Sequence, residues 1–391
     1  MILLLVLLSF SGCDADLVPQ IDKVLSPDAQ ALVDSAFAPF QADTLIDHHV
    51  HILGLGNTQS GIEVHPDTRS YFHPFKLTRF KYFMDAGSVT DEALADEQYL
   101  GYLLAQIEKI PGEFRIQGLA LDRFYMETGE PDPENFEIYI PNEYVVGIGE
   151  RFPDSIIPVI SVHPYRLDAV AELEQWASQG VRVVKWLPNV QGIDPSSPLC
   201  DTFYDAMNRL NMVLLSHAGT ELALDSHGRQ HLGNPLLLRR ALEAQVKVIV
   251  CHCGTSGTSQ DLDDPMLPEI DNFTLFMRLF DDPLYEGLLF ADISGMTLVN
   301  QVGISLKVIL ARKDLHPRLL YGSDYPLPAV DILNQNYALS LLGYIDEEIV
   351  SELDEIQEVN PLLYSFVLMR TLKHPDTGAQ LSEDLFRNRM P

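Results

Sequence analysis

Eight short apolar segments punctuate the chain, and most of them turn polar at their C-terminal ends. They are TLIDHHVHI (44–52), FRIQGLAL (114–121), IIPVISVHP (156–164), VRVVKWLP (181–188), MVLLSHAG (212–219), VKVIVCHCG (246–254), LLFADISGM (288–296) and LLYGSDYP (319–326). Runs of this length, rich in β-branched residues and bounded by turn formers, predict strands. The stretches between them carry apolar positions at helical spacing. DAVAELEQWASQG (168–180) closes on Gly180, a C-cap signal, and SPLCDTFYDAMNRLN covers 197–211. NPLLLRRALEAQ (234–245) opens on Asn234-Pro235, an N-cap followed by proline at the first helical position. Eight strands alternating with helices predict an α/β fold, a (β/α)8 TIM-type barrel. An open doubly wound sheet is the runner-up, but no GxGxxG follows the first strand, so nothing supports a dinucleotide site. Segments 53–113 and 255–287 are long for barrel connections and read as insertions after strands 1 and 6 that cover a site. The organisation is a leader (1–13), a lead-in (14–43), the barrel (44–330) and a helical closure (331–391).

The polar strand ends form a set: His49 and His51, His163, Lys185, His217, His252 and Asp324. Barrel active sites lie at the C-terminal face. One histidine at a strand end is more often structural, but several at the same end are hard to explain as packing, because buried imidazoles without partners are costly. In the first strand, alternation puts Ile46, His48, Val50 and Ile52 on one face, suited to packing against helices, and Asp47, His49 and His51 on the other. Two imidazoles spaced i, i+2 can hold one cation. His48 reads as structural.

Composition narrows the setting. The 391 residues carry a net charge of −30, which repels nucleic acid and anionic head groups. The first thirteen residues, MILLLVLLSFSGC, are an apolar run too short to span a bilayer, like a secretory leader. Its end resembles a bacterial lipoprotein processing site with Cys13 as the lipidated residue, although no Lys or Arg precedes the run. The expected location is exported, in the periplasm or anchored to the cell membrane of a bacterium. Cys200, Cys251 and Cys253 are an odd set, which argues against a disulfide framework. Alternation puts the Cys251 and Cys253 thiols opposite His252, so they read as buried and inert rather than as ligands. Residues 65–81 form a basic island, with His65, Arg69, His73, Lys76, Arg79 and Lys81 against only Asp67. Folded over the site it suits an anionic substrate; as a solvated face it pairs with acids elsewhere. Its aromatic residues Tyr71, Phe72, Phe75, Phe80, Tyr82 and Phe83 read as core for the insertion.

With these residues in hand, the chain resembles the amidohydrolase superfamily over most of 44–365. The nearest branch is the amidohydrolase-related one that includes aminocarboxymuconate semialdehyde decarboxylase. The resemblance rests on Asp47-x-His49-x-His51, on His217 in LLSHAG, on His252 in CHCG, on Asp324 in GSDYP and on Asn360-Pro361. It implies that His49, His51, His217 and Asp324 hold a divalent metal, zinc foremost, that activates a water. It also implies that Asp324 is the proton carrier and that His252 stabilises an oxyanion or orients the water. Lys185 stands where binuclear members carry a carboxylated lysine; a second metal would then take Lys185 and His252. Otherwise Lys185 is a free ammonium that binds a substrate carboxylate or tunes the site. His163, Arg69, His73 and Lys76 are further substrate-binding candidates. The implied activity is hydrolysis of an amide, lactone or ester carbonyl in a small, anionic molecule. A decarboxylase or hydratase on the same site is the first alternative, and a non-catalytic binding lipoprotein the second. A homo-oligomer is compatible with the sequence.

Overall fold

The computed structural model of the protein describes residues 21–391. The expected leader and Cys13 lie outside the described residues. Among those described, no helix is long and apolar enough to cross a membrane.

Eight parallel strands form at the predicted places: β1 (Thr44–His51), β2 (Glu113–Leu119), β3 (Ile156–Val159), β4 (Val183–Trp186), β5 (Val213–Ser216), β6 (Lys247–Val250), β7 (Leu289–Asp292) and β8 (Leu319–Leu320). β1 to β3 pair in order, as do β4 to β8. Two seams close the ring. Ile160 bridges to Val184, and Val50 bridges to Tyr325. At the second seam the His48 amide donates to the Tyr321 carbonyl at 3.0 Å, and the Asp324 amide to the His49 carbonyl at 2.9 Å. The fold is a closed (β/α)8 barrel.

Leu119, Val159, Val183, Val213, Leu215, Ile249, Cys251 and Leu320 fill its interior, with Met390 of the C-terminal tail against them. A larger apolar layer joins the strands to the helices. The boundary signals act as read. Gly180 takes φ +90° just past the helix Ala169–Ser178, and the Asn234 side chain accepts from the Leu236 amide at the start of its short helix. Asn360 caps the helix Pro361–Thr371 and donates to the Gln106 carbonyl at 3.0 Å, joining the closing helices to the first insertion.

After β1 the chain builds the helices Pro74–Ala86 and Ala95–Glu108; after β6 it builds a hairpin (Thr258–Gln260 with Glu269–Asp271) and the helix Asn272–Phe280. The connection after β2 also rises over the mouth. Its strand Ile138–Tyr139 pairs with Glu63–Val64 of the first insertion.

Candidate active site at the barrel mouth

Strict alternation fails in β1. Its register slips between Asp47 and Val50. The His48 ring meets Gln117 at 3.1 Å and the Asn388 carbonyl at 3.3 Å. Gln117 lies on the side of β2 that carries Leu119 into the barrel, so His48 faces inward at the lower end, not outward onto helices. Two consecutive histidines thus point into the barrel. His48 is a buried tie to the tail, and His49 stands one layer above it. Asp47 does not join the imidazoles. Its Oδ1 accepts from the amides of His49 (3.0 Å) and Ser323 (2.9 Å), clasping β1 to the turn after β8.

Six predicted side chains from five strand ends converge. Asp324 Oδ1 lies 3.2 Å from His51 Nε2 and 3.5 Å from His49 Nε2, and its Oδ2 is 3.9 Å from His252 Nδ1. The His217 and His252 rings are 5.3 Å apart. Lys185 Nζ sits beneath, 3.2 Å from His49 Nε2 and 3.0 Å from Cys251 Sγ. Asp324, His252 and Cys253 hold left-handed backbones (φ 61°, 57° and 52°), which a non-glycine residue adopts at a cost. GSDYP needs its glycine for a different reason: a Cβ at Gly322 would stand 2.8 Å from His49 Cβ.

β6 ends at Val250, and residues 251–254 form a tight turn. The thiols therefore do not share a face. Cys251 enters the barrel beside Lys185, whereas Cys253 donates to the Asp292 carbonyl oxygen at 3.3 Å. Burial pushes both thiols up, so both stay protonated.

Asp292, at the end of β7, is a site residue that the reading of strand ends missed. LLFADISGM carries the same apolar-to-polar signal as its neighbours. Asp292 Oδ2 accepts from His49 Nδ1 at 2.9 Å, and Oδ1 accepts from the His252 amide and the Ser294 hydroxyl. His252 Nδ1 meets the Ser294 carbonyl at 3.1 Å and hydroxyl at 2.8 Å. A carbonyl can only accept, so the proton of a neutral His252 ring is on Nδ1. One carboxylate, directly and through Ser294, thus sets both rings with Nε2 unprotonated. A neutral His252 then has no Nε2 proton to offer an oxyanion. In that tautomer the ring is suited to holding a cation or orienting water.

The donor set fits a divalent ion. Burial, and next the charge of Lys185, lower His49 to about 4, so its ring is neutral as a ligand must be. Burial, and next His252, hold His217 well below its usual value. His217 Nε2 is buried without a hydrogen-bond partner, and an orphaned acceptor there is what a cation would satisfy. For Asp324, burial alone would raise the carboxyl, but His252, His49 and His51 hold it well below the carboxylate range, so it is an anion. His49, His252 and Asp324 present ligand atoms within 4.8 Å of one another. His252 thus stands in the innermost group, which His51 joins through Asp324 and His217 through the His252 ring.

The other candidates lie elsewhere. Both His163 nitrogens are used: Nδ1 accepts from the Tyr165 amide at 3.2 Å, and Nε2 donates to the Gln191 carbonyl at 2.9 Å. It is a structural histidine outside the cavity. The basic island does not line the site either. Arg69 pairs with Glu92, His73 Nε2 with Asp67 at 3.3 Å, and Lys76 with Asp225 at 3.1 Å. Among the described residues, Arg79 is the one basic side chain of the island that lines the cavity, paired with the buried Glu137. The cause is the helix Pro74–Ala86, which lies across the mouth with Arg79, Phe80, Phe83 and Met84 inward. Its approach and outer face leave Tyr71, Phe72, Phe75 and Tyr82 exposed, so these aromatics are not core. Glu221, also missed, lines the cavity 3.7 Å from His217 Nε2.

A family model described as amidohydrolase matches residues 46–272, more than half of the chain. No curated protein matches the chain in sequence. Among solved structures it is similar to a Pseudomonas putida protein described as a 2-pyrone-4,6-dicarboxylic acid hydrolase (17% identity, 83% of this chain and 98% of that one, TM-score 0.45). It is also similar to 5-carboxyvanillate decarboxylase from Sphingomonas paucimobilis (11%, 88% and 95%, TM-score 0.45). A third is 4-oxalomesaconate hydratase from Rhodopseudomonas palustris (14%, 84% and 96%, TM-score 0.39).

Proposed function

This chain belongs to the amidohydrolase family, and on that premise we propose that it is a metal-dependent hydrolase of an amide, lactone or ester carbonyl in a small molecule. One observation carries the reading: residues from four different strand ends converge, with His49, His51 and His252 around the Asp324 carboxylate and His217 against the His252 ring. These residues would hold the ion, zinc foremost, with Lys185 below them. When bound, a divalent ion supplies Lewis acidity, lowering the pKa of water and polarising a carbonyl.

The chain's own groups supply the rest. Asp324 is anionic and central, placed to take a proton from the attacking water and pass it to the leaving group. Asp292 and Ser294 fix His49 and His252 so that neither ring must turn during the reaction. Lys185 is buried at the floor with its Nζ beside His49 and Cys251, where its N–H groups can donate to oxygen; carboxylated, it would instead join a second metal. The insertion helix lies over the cavity with Phe80, Phe83 and Met84 turned inward. Arg69, His73 and Lys76 face away, so an anionic substrate has lost the support on which it rested.

Metal content and turnover test this together. Protein purified without chelators is expected to hold about one zinc per chain, or two that fall to one in Lys185→Ala. Asp324→Asn is expected to cut hydrolysis of an ester and lactone panel by roughly 10³-fold while the circular dichroism stays unchanged. Hydrolysis that survives the change removes Asp324 as proton carrier. Carbon dioxide release without hydrolysis favours the decarboxylase. Export is a separate proposal: Cys13→Ala is expected to move the protein from the membrane fraction to the soluble one.

A further inference from the structure

We infer that this site takes a neutral carbonyl compound with an apolar body, an ester or lactone bearing an alkyl or aryl group, and turns away dicarboxylates. The inference rests on the hydrolase reading above. Above its polar floor the cavity is walled by apolar side chains from four separate connections: Phe83 and Met84, Leu121 and Ile138, Leu224, and Leu327.

The charges argue the same way. Among the described residues, the lining holds three acidic side chains, Glu137, Glu221 and Asp324, against two basic ones besides its histidines, Arg79 and Lys185. Arg79 is already paired with Glu137, whose side chain is only 1% exposed. Lys185 lies at the bottom, against His49 and Cys251. A metal ion would add positive charge at that same floor and none along the walls. A carboxylate on the body of a substrate would therefore be buried among leucines without a cation to pair with, at a desolvation cost that apolar contact cannot repay. Glu221 brings no cation to the wall either. Its Oε1 is held by the Ala223 and Leu224 amides, and its Oε2 faces His217. An apolar body gains from the same walls, by roughly fourfold in affinity for each methylene buried.

The test separates selection from catalysis. The zinc-loaded full chain is titrated with N-phenyl-1-naphthylamine, a neutral dye that brightens in apolar surroundings, and the dye is then displaced with γ-lactones of rising alkyl length or with phthalate. The dye is expected to bind, lactone competition to improve roughly fourfold per added methylene over the first few, and phthalate to displace nothing. Phe83→Asp and Leu327→Asp, at half-buried wall positions, are expected to weaken dye binding about tenfold or more with melting curves close to the parent. Glu137→Gln leaves Arg79 without its partner and is expected to admit octanoate, which the parent excludes. No dye binding, lactone affinity that ignores chain length, or phthalate as the best competitor would overturn the inference. Acid release from the same lactones is read separately. Lactones that bind by chain length but are not opened keep this inference and sink the hydrolase reading. Lactones opened at rates and affinities indifferent to chain length do the reverse.

Discussion

At the floor of the cavity the side chains leave the ends of barrel strands and the central ones are fixed in direction, whereas the roof is carried by connections and pinned at its edges. His49 is held by Asp292, His252 by Ser294, and Asp324 by a left-handed backbone. The roof helix Pro74–Ala86 packs through Phe80, Phe83 and Met84 and is tied by the Arg79–Glu137 pair and the ribbon Glu63–Val64 with Ile138–Tyr139. The contrast separates two tasks. Chemistry needs donors fixed to a fraction of an ångström, and strands packed on both faces provide that. Selection needs a surface that can be rewritten without moving the donors, and long connections provide that.

If the division holds, damage at the floor leaves the roof's binding intact. Among the residues that position the donors, the largest effect is expected at Asp292. Asp292→Asn keeps the shape but loses the charge that fixes His49 Nδ1–H, so the ring can present the wrong tautomer. Zinc affinity, measured by competition with a fluorescent chelator, is expected to fall about 10- to 100-fold. Binding of the neutral dye should not change. Unaltered zinc affinity would mean that His49 is not a ligand or that Asp292 does not orient it. A smaller effect is expected where the two strands of the closing seam touch. Gly322→Ala would place a methyl 2.8 Å from His49 Cβ and 3.2 Å from Ser294 Cβ, forcing β1 and β8 apart. Overpacking of this kind costs about 1–3 kcal/mol, read as a fall in melting temperature accompanied by weaker zinc binding. An unchanged melt would show that the seam is looser than the carbonyl and amide spacings there imply.

The floor was more legible in the sequence than the roof, for a physical reason. Strand period and a polar residue at each strand end are local signals, and they located β1 to β8 together with His49, His51, Lys185, His217, His252 and Asp324. Asp292 carries the same signal at the end of β7. Where the backbone leaves its period, local reasoning failed. The slip after Asp47 turned His48 inward, and the left-handed residues after Val250 separated Cys251 from Cys253. The roof depends on partners distant in sequence. Arg69, His73 and Lys76 look like an anion site until Glu92, Asp67 and Asp225 are placed beside them. Nothing in residues 120–141 announces that Ile138 will pair with Val64.

The smallest expected effect bears on the roof alone. The Asp96 carboxylate gathers the loop that follows β1: it accepts from the Leu55 amide at 2.6 Å, the Gly56 amide at 3.1 Å, Thr58 Oγ1 at 3.1 Å and Ser60 Oγ at 2.7 Å. Burial would raise its pKa, yet the bonds from Ser60, Leu55 and Thr58 outweigh burial and lower it. A carboxyl with a folded pKa below its unfolded one contributes its full stability above the unfolded value, near 3.9, and loses it as the pH falls through the folded value. Amides of residues 54–60 are therefore expected to exchange faster below about pH 4, after correction for intrinsic rates. Asp96→Asn, which gives up the charge and one acceptor, is expected to show the faster exchange at neutral pH as well, at a cost of about 1–2 kcal/mol. Zinc affinity should stay at the parent value, because no ligand leaves from that loop. A loss of zinc in this variant would erase the distinction between roof and floor, since the donors would then depend on a connection rather than on the strands that carry them.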